Sequence, residues 1–149
     1  MQKSKMITKN QMWGIESQHH FAAFATQVDL LPNPIKEDFG FDFICQPLGE
    51  SITPWLNRIH GKFIAVSVRG TVNKKNPSIH ITRKDAELFL SCDCPFMLAL
   101  VYKHPKKGVT SYLRFPDESF IAQLIRFLNS NNSTMSIAAK DCIWNLLST

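Results

Sequence analysis

The most constraining feature of this chain is the run Phe96-Met97-Leu98-Ala99-Leu100-Val101, six consecutive apolar residues introduced by Cys94-Pro95. It is too short to be a spanning helix, which needs about 20 apolar residues. A continuous apolar run bounded by breakers is the signature of a strand buried on both faces. Such a strand needs layers on both sides, and together with the order of the other elements, helix, several strands, helix, two strands, helix, helix, it points to a mixed α/β or α+β domain with helices covering a central sheet. The chain of 149 residues, 44% hydrophobic and 19% charged, is long enough for one core of that kind.

Two further runs show strand alternation. In Phe41-Asp42-Phe43-Ile44-Cys45, Asp42, Ile44 and Gln46 share one face, while Phe41, Phe43 and Cys45 share the other. In Phe63 to Arg69, Ile64, Val66 and Val68 face one way and Phe63, Ala65, Ser67 and Arg69 the other. Pairing of the two runs would gather an acid, a hydroxyl and a guanidinium at one end of a sheet. Residues 46–61, rich in Pro and Gly, read as an irregular excursion anchored by Trp55-Leu56.

Around these strands the pattern predicts helices. The first covers about Trp13–Val28, with Ile15, Ala22, Ala25 and Val28 on its apolar stripe; Leu31-Pro32-Asn33-Pro34 ends it. A short strand is expected at Ile35–Asp38. A second helix starts at Thr82, with Asp85 three residues on in the spacing of a capping box. Val109–Phe115 reads as the strand returning from Phe96–Val101. Pro116-Asp117-Glu118 opens a third helix, and a last short helix is expected at Ile137–Leu147. Residues 1–12 are read as a flexible N-terminus, 13–129 as the domain proper, and 130–149 as a helical extension of it.

Net charge is +5, which suits an anionic partner without specifying one. Asn73-Lys74-Lys75-Asn76 forms a basic loop. The four cysteines make no C-x-x-C pair, and the C-x-C at 92–94 lacks histidines at finger spacing, so reduced thiols in a cytoplasmic protein are expected. The polar N-terminus is unlike a signal peptide, and no membrane association is expected.

A glutamate on the first helix, an aspartate after a Gly-containing turn, a strand ending Ser67-x-Arg69, an N-capped helix and a Pro-led apolar strand follow one another in this order. The order resembles the PD-(D/E)XK, or restriction-endonuclease-like, superfamily, and within it a prokaryotic branch known only as a domain of unknown function. The resemblance spans about Trp13 to Leu128. It implies a mixed central sheet flanked by helices and an endonuclease site, with Glu16 and Asp42 as metal-binding carboxylates for Mg²⁺. Ser67 stands where the family has glutamate or glutamine, and Arg69 where it has the catalytic lysine. A serine hydroxyl is a poor substitute for a carboxylate toward a hard dication, and arginine stays protonated where lysine can adjust. The implied function is therefore a domain acting on DNA or RNA with Mg²⁺ at low occupancy and cleavage weakened or lost. Lys74, Lys75 and Arg83 are the expected phosphate contacts. The alternative is a non-enzymatic accessory module that keeps the fold and engages a protein partner. Taken singly, Asp42 reads more readily as a turn or strand-end carboxylate and Glu16 as a solvated helix residue.

Overall fold

The structure, a computed structural model, describes residues 8–36, 40–47, 63–72, 75–142 and 144–145. Lys74, the Trp55-Leu56 anchor, most of the 46–61 excursion and the end of the expected last helix lie outside them.

Helix α1 (Lys9–Gln27) begins before the expected Trp13, because Thr8 and Gln11 form a reciprocal capping box. Residues 9–12, expected in a flexible terminus, are thus helical. Its buried ladder is Trp13, Ser17, Phe21 and Ala25, spaced by four, while Ile15 is 52% exposed. The expected stripe is rotated because the helix meets the sheet at Gly70. A Cβ there would collide with Ser17 Oγ and the Trp13 indole. Only a missing side chain lets α1 lie this close, and the Trp13 Nε1–H donates to the Thr71 carbonyl at 3.1 Å.

Strand β1 (Leu30–Pro34) occupies the segment expected only to stop the helix. Asp29, at φ 60°, turns the chain, and β1 pairs antiparallel with β2 (Phe43–Pro47). Proline is tolerated here because β1 is the outer strand among the described residues. Of the strand expected at 35–38, residues 37–38 lie outside the described residues, and Ile35 and Lys36 follow the end of β1 rather than forming a strand. β2 pairs antiparallel with β3 (Ile64–Val72), with Phe43 opposite Val66 and Cys45 opposite Ile64, so the two alternating runs do meet.

From β3 the chain passes through β4 (Ser78–Thr82) and α2 (Arg83–Ser91) into β5 (Phe96–His104), which lies parallel to β3. Thr82 ends β4 and caps α2, its hydroxyl accepting from the Asp85 N–H. The apolar run of β5 is buried throughout. A turn closed by two N–H donors onto His104 Nδ1 leads to β6 (Gly108–Arg114), antiparallel to β5. Helix α3 (Glu118–Leu128) follows, capped by Asp117.

Over its described residues, the expected C-terminal helix is replaced by strand and a 3₁₀ turn. β7 (Thr134–Ala138) pairs antiparallel with β4, Ile137 opposite Ile79; a 3₁₀ turn (Ala139–Asp141) and β8 (Trp144–Asn145) beside β6 follow. Ile137 packs on the same core as α3 from a strand, because β4 offers an unpaired edge that a helix would leave open.

The result is a mixed sheet in the order β1-β2-β3-β5-β6-β8, covered by helices on both faces, the α+β class expected. One core lies under α1, built on Trp13, Phe21, Phe43, Ile64, Val66 and Met97. The other lies under α2, α3 and the β4–β7 ribbon, where Phe89 stacks on Phe96 at 5.3 Å and Phe96 meets Phe120. No described helix is long and apolar enough to cross a membrane.

Candidate functional site

Where β2 enters the sheet, Asp42 completes its edge with its side chain as well as its backbone. Its N–H donates to the Val66 carbonyl at 2.8 Å, and its carboxylate continues along β3: Oδ2 accepts from the Val68 N–H at 2.7 Å. Oδ1 accepts from Gln18 Nε2 of α1 at 3.1 Å. Gly40, just before it, has φ 87° and passes Leu88 of α2 so closely that a Cβ would strike that side chain. A left-handed glycine is thus what brings the Asp42 turn against α2.

Alternation along β3 sends Ser67 and Arg69 to the α2 side. Ser67 is 1% exposed, and its hydroxyl accepts from Arg69 Nε at 3.3 Å. The guanidinium then reaches Asp85 of α2, Nη2 to Oδ1 at 3.0 Å. Asp85 Oδ2 also accepts the Thr82 N–H at 2.9 Å. Burial acts to raise the Asp85 pKa and is the largest single influence. The Thr82 N–H, the Arg69 charge and the hydrogen bonds from Thr82 and Arg69 outweigh it together and hold the carboxyl below its ordinary range.

Asp42, Arg69, Lys84 and Asp85 therefore line one cleft of about 460 Å³, walled by Gly40, Val68 and Leu88. Ser67 stands beneath it as the support of Arg69. Sequence reasoning missed Asp85 and Lys84 as site residues. Asp85 was legible only as a cap, since nothing in the local sequence says that an arginine from β3 reaches it.

The remaining expected residues lie elsewhere. Glu16 is half exposed in a separate groove between α1 and the β5–β6 turn, 4.0 Å from Lys103 Nζ and lined also by Lys9, Trp13 and His104. The Arg83 guanidinium is taken up by the end of α3: it donates to the carbonyls of Phe127, Leu128, Ser130 and Asn132 and lies 5.7 Å from the Phe127 ring centre. Such a cation satisfies helix-end carbonyls and complements the helix dipole. Lys75 is exposed beyond the end of β3.

Among the described residues, the donor set of the cleft does not suit a resident Mg²⁺, which demands several oxygen ligands in octahedral array. Both oxygens of each carboxylate already accept hydrogen bonds, and a guanidinium occupies Asp85. Among the described residues no group of three or more His, Cys, Asp or Glu side chains is placed to hold a metal. What the cleft does offer is two cations, Arg69 and Lys84, on a wall of hydrogen-bonded carboxylates.

No family model matches the chain. No curated protein matches it either. Among solved structures it is similar to Hjc, a Holliday junction resolvase from the archaeal hyperthermophile Archaeoglobus fulgidus, at 12% sequence identity and a TM-score of 0.48, with 84% of this chain and 83% of that one covered.

Proposed function

We propose that this chain is a nucleic-acid-binding domain of the restriction-endonuclease-like type whose metal-dependent phosphodiester cleavage is weakened or lost. The observation that carries the reading is Arg69. It stands at the strand position where the resembling family has its catalytic lysine. There it is held between the Ser67 hydroxyl and the Asp85 carboxylate, at the mouth of a cleft shared with Asp42 and Lys84. Its side chain is 34% exposed, so one edge remains open to an incoming phosphate oxygen. Held this way, Arg69 is a fixed positive charge. It neither accepts a proton nor leaves Asp85 vacant for a dication. Lys84 adds a second cation to the cleft and Lys75 is exposed beyond β3, while Arg83 serves to join α2 to α3.

The test is a gel-mobility series at several salt concentrations with single- and double-stranded DNA and RNA, paired with plasmid nicking in Mg²⁺ or Mn²⁺. The wild-type protein should shift at least one substrate at low salt and nick little. Arg69→Ala should lower affinity roughly tenfold and reduce the salt slope by about 1, as expected for one lost phosphate contact. Ser67→Glu with Arg69→Lys should raise nicking above wild type. Efficient cutting by the wild type that Asp42→Ala abolishes would show a working nuclease instead.

The second reading is a protein-interaction module. It is favoured by Leu31 and Ile44, diagonal neighbours on the sheet face away from α1, which are 42% and 38% exposed. Absence of any mobility shift at low salt would transfer the case to it.

A further inference from the structure

At the far end of α2 from the cleft, the chain leaves the helix through Cys92-Asp93-Cys94-Pro95 and enters β5. Cys92 is the C-cap residue, in extended conformation at φ −70° and ψ 124°. Its side chain folds back over the bend so that the two sulfurs stand 3.2 Å apart. Cys94 is exposed and Cys92 partly buried. Both open into a broad groove of about 890 Å³ with Phe63, Asp93 and Ile121 on its walls. We propose that Cys92 and Cys94 form a reversible intrachain disulfide, making this turn a thiol-oxidation site for small disulfides of the glutathione type.

Three features support the assignment. The sulfurs need to close by only about 1 Å to reach the disulfide length of about 2.05 Å. The turn is already organised: proline at 95 fixes its own φ and biases Cys94 to the extended region, so few backbone states compete with the paired one. The other two cysteines are set apart from this chemistry. Cys45 is fully buried, with its thiol pushed up to about 12 by burial. Cys142 is directed at the Ala138 carbonyl at 3.7 Å, and burial pushes its thiol up to about 11.

The two thiols divide the work by access. Cys94, released of its proton to water, attacks one sulfur of oxidised glutathione, forming a mixed disulfide and expelling one glutathione thiolate. Cys92 then gives up its proton and attacks the Cys94 sulfur, forming the intrachain bond and expelling the second glutathione. Two protein thiols lose two protons and two electrons, and one small disulfide becomes two thiols. Burial, followed by the hydrogen bond with Cys94, holds the Cys92 thiol above its ordinary range. The site is independent of what the cleft binds.

The experiment equilibrates the folded full chain in glutathione buffers of increasing oxidised fraction, traps free thiols with iodoacetamide, and maps peptides by mass. In the wild type, the peptide containing residues 92–94 should lose the mass of two hydrogens, escape alkylation and recover on adding dithiothreitol, while Cys45 and Cys142 stay reduced. Cys92→Ser should stop at a stable glutathione adduct on Cys94. The proposal is overturned if the wild type keeps both thiols alkylatable, accumulates the same adduct as Cys92→Ser, or is oxidised only as disulfide-linked dimers. The Cys92→Ser/Cys94→Ser double variant, followed by circular dichroism, checks that the two thiols are not needed for folding.

Discussion

The cleft between β2, β3 and α2 and the groove between α1 and the β5–β6 turn contain similar chemistry: the first holds Asp42 and Asp85, the second Glu16, each beside lysine or arginine. They differ in what the acids hold. In the cleft, Asp42 accepts a β3 N–H and Asp85 accepts the N–H of its own helix cap, so each carboxylate is part of the backbone's hydrogen-bond arrangement. In the groove, Glu16 and Lys103 are 4.0 Å apart, with side chains 49% and 55% exposed. Water screens such a pair, and its two long side chains lose freedom to form it. A site built on fixed groups presents the same field to every ligand, whereas a solvated pair rearranges at little cost. This is why the cleft, and not the groove holding Glu16, is the better candidate.

The contrast predicts the largest effect at Asp42. Asp42→Ala leaves the Val68 N–H and the Gln18 amide without their acceptor. It should lower unfolding free energy by about 1–3 kcal/mol in urea titrations. Asp42→Asn, whose amide oxygen still accepts from Val68, should recover most of that loss. An Asp42→Ala protein as stable as wild type would erase the distinction between the two regions.

A smaller effect is expected at Asp85, and it depends on pH. Its folded-state pKa is depressed, so its contribution is complete above the ordinary carboxylate range and is lost as pH falls through the folded-state value. Asp85→Asn should therefore reduce stability near neutrality by about 1 kcal/mol. It should also flatten the acid side of the melting-temperature profile relative to wild type. Equal slopes on the acid side would mean that Arg69 does not hold this carboxylate in solution.

The smallest effect belongs to the groove. Glu16→Gln should change stability by less than about 0.5 kcal/mol, and 1 M salt should abolish even that difference in parallel melts. A larger loss would promote Glu16 to a structural group and weaken the contrast from the other side.

How much of this was legible in the sequence depends on whether the deciding contact was local. The apolar run of β5, the Thr82–Asp85 cap and the amphipathic α3 each carry their signal within a turn or two, and the structure follows them. The pairing of the Asp42 run with the Ser67–Arg69 run was also legible, because alternation fixes which faces can meet. β1 was not, since proline argues against a strand everywhere except at an outer position, and that position is set by partners far along the chain. β7 was not, because Thr134–Ala138 becomes a strand only through β4, more than fifty residues earlier. Within the site, Asp42, Ser67 and Arg69 came together as expected. Asp85 entered it only because a guanidinium from β3 spans to α2, a reach no local pattern encodes.

The two prolines of β1 have a consequence for how molecules of this protein meet one another. The Ile35 N–H points inward, donating to the Asp42 carbonyl at 3.0 Å. Backbone donors alternate sides along an extended strand, so positions 32 and 34 direct theirs away from β2. Both positions are proline and have no donor to offer. A foreign strand approaching this flank would find carbonyls but no N–H to answer its own at those two places. Among the described residues this outer flank offers acceptors but no donors at those two positions, which weakens β-addition there and disfavours stacking of copies into fibres.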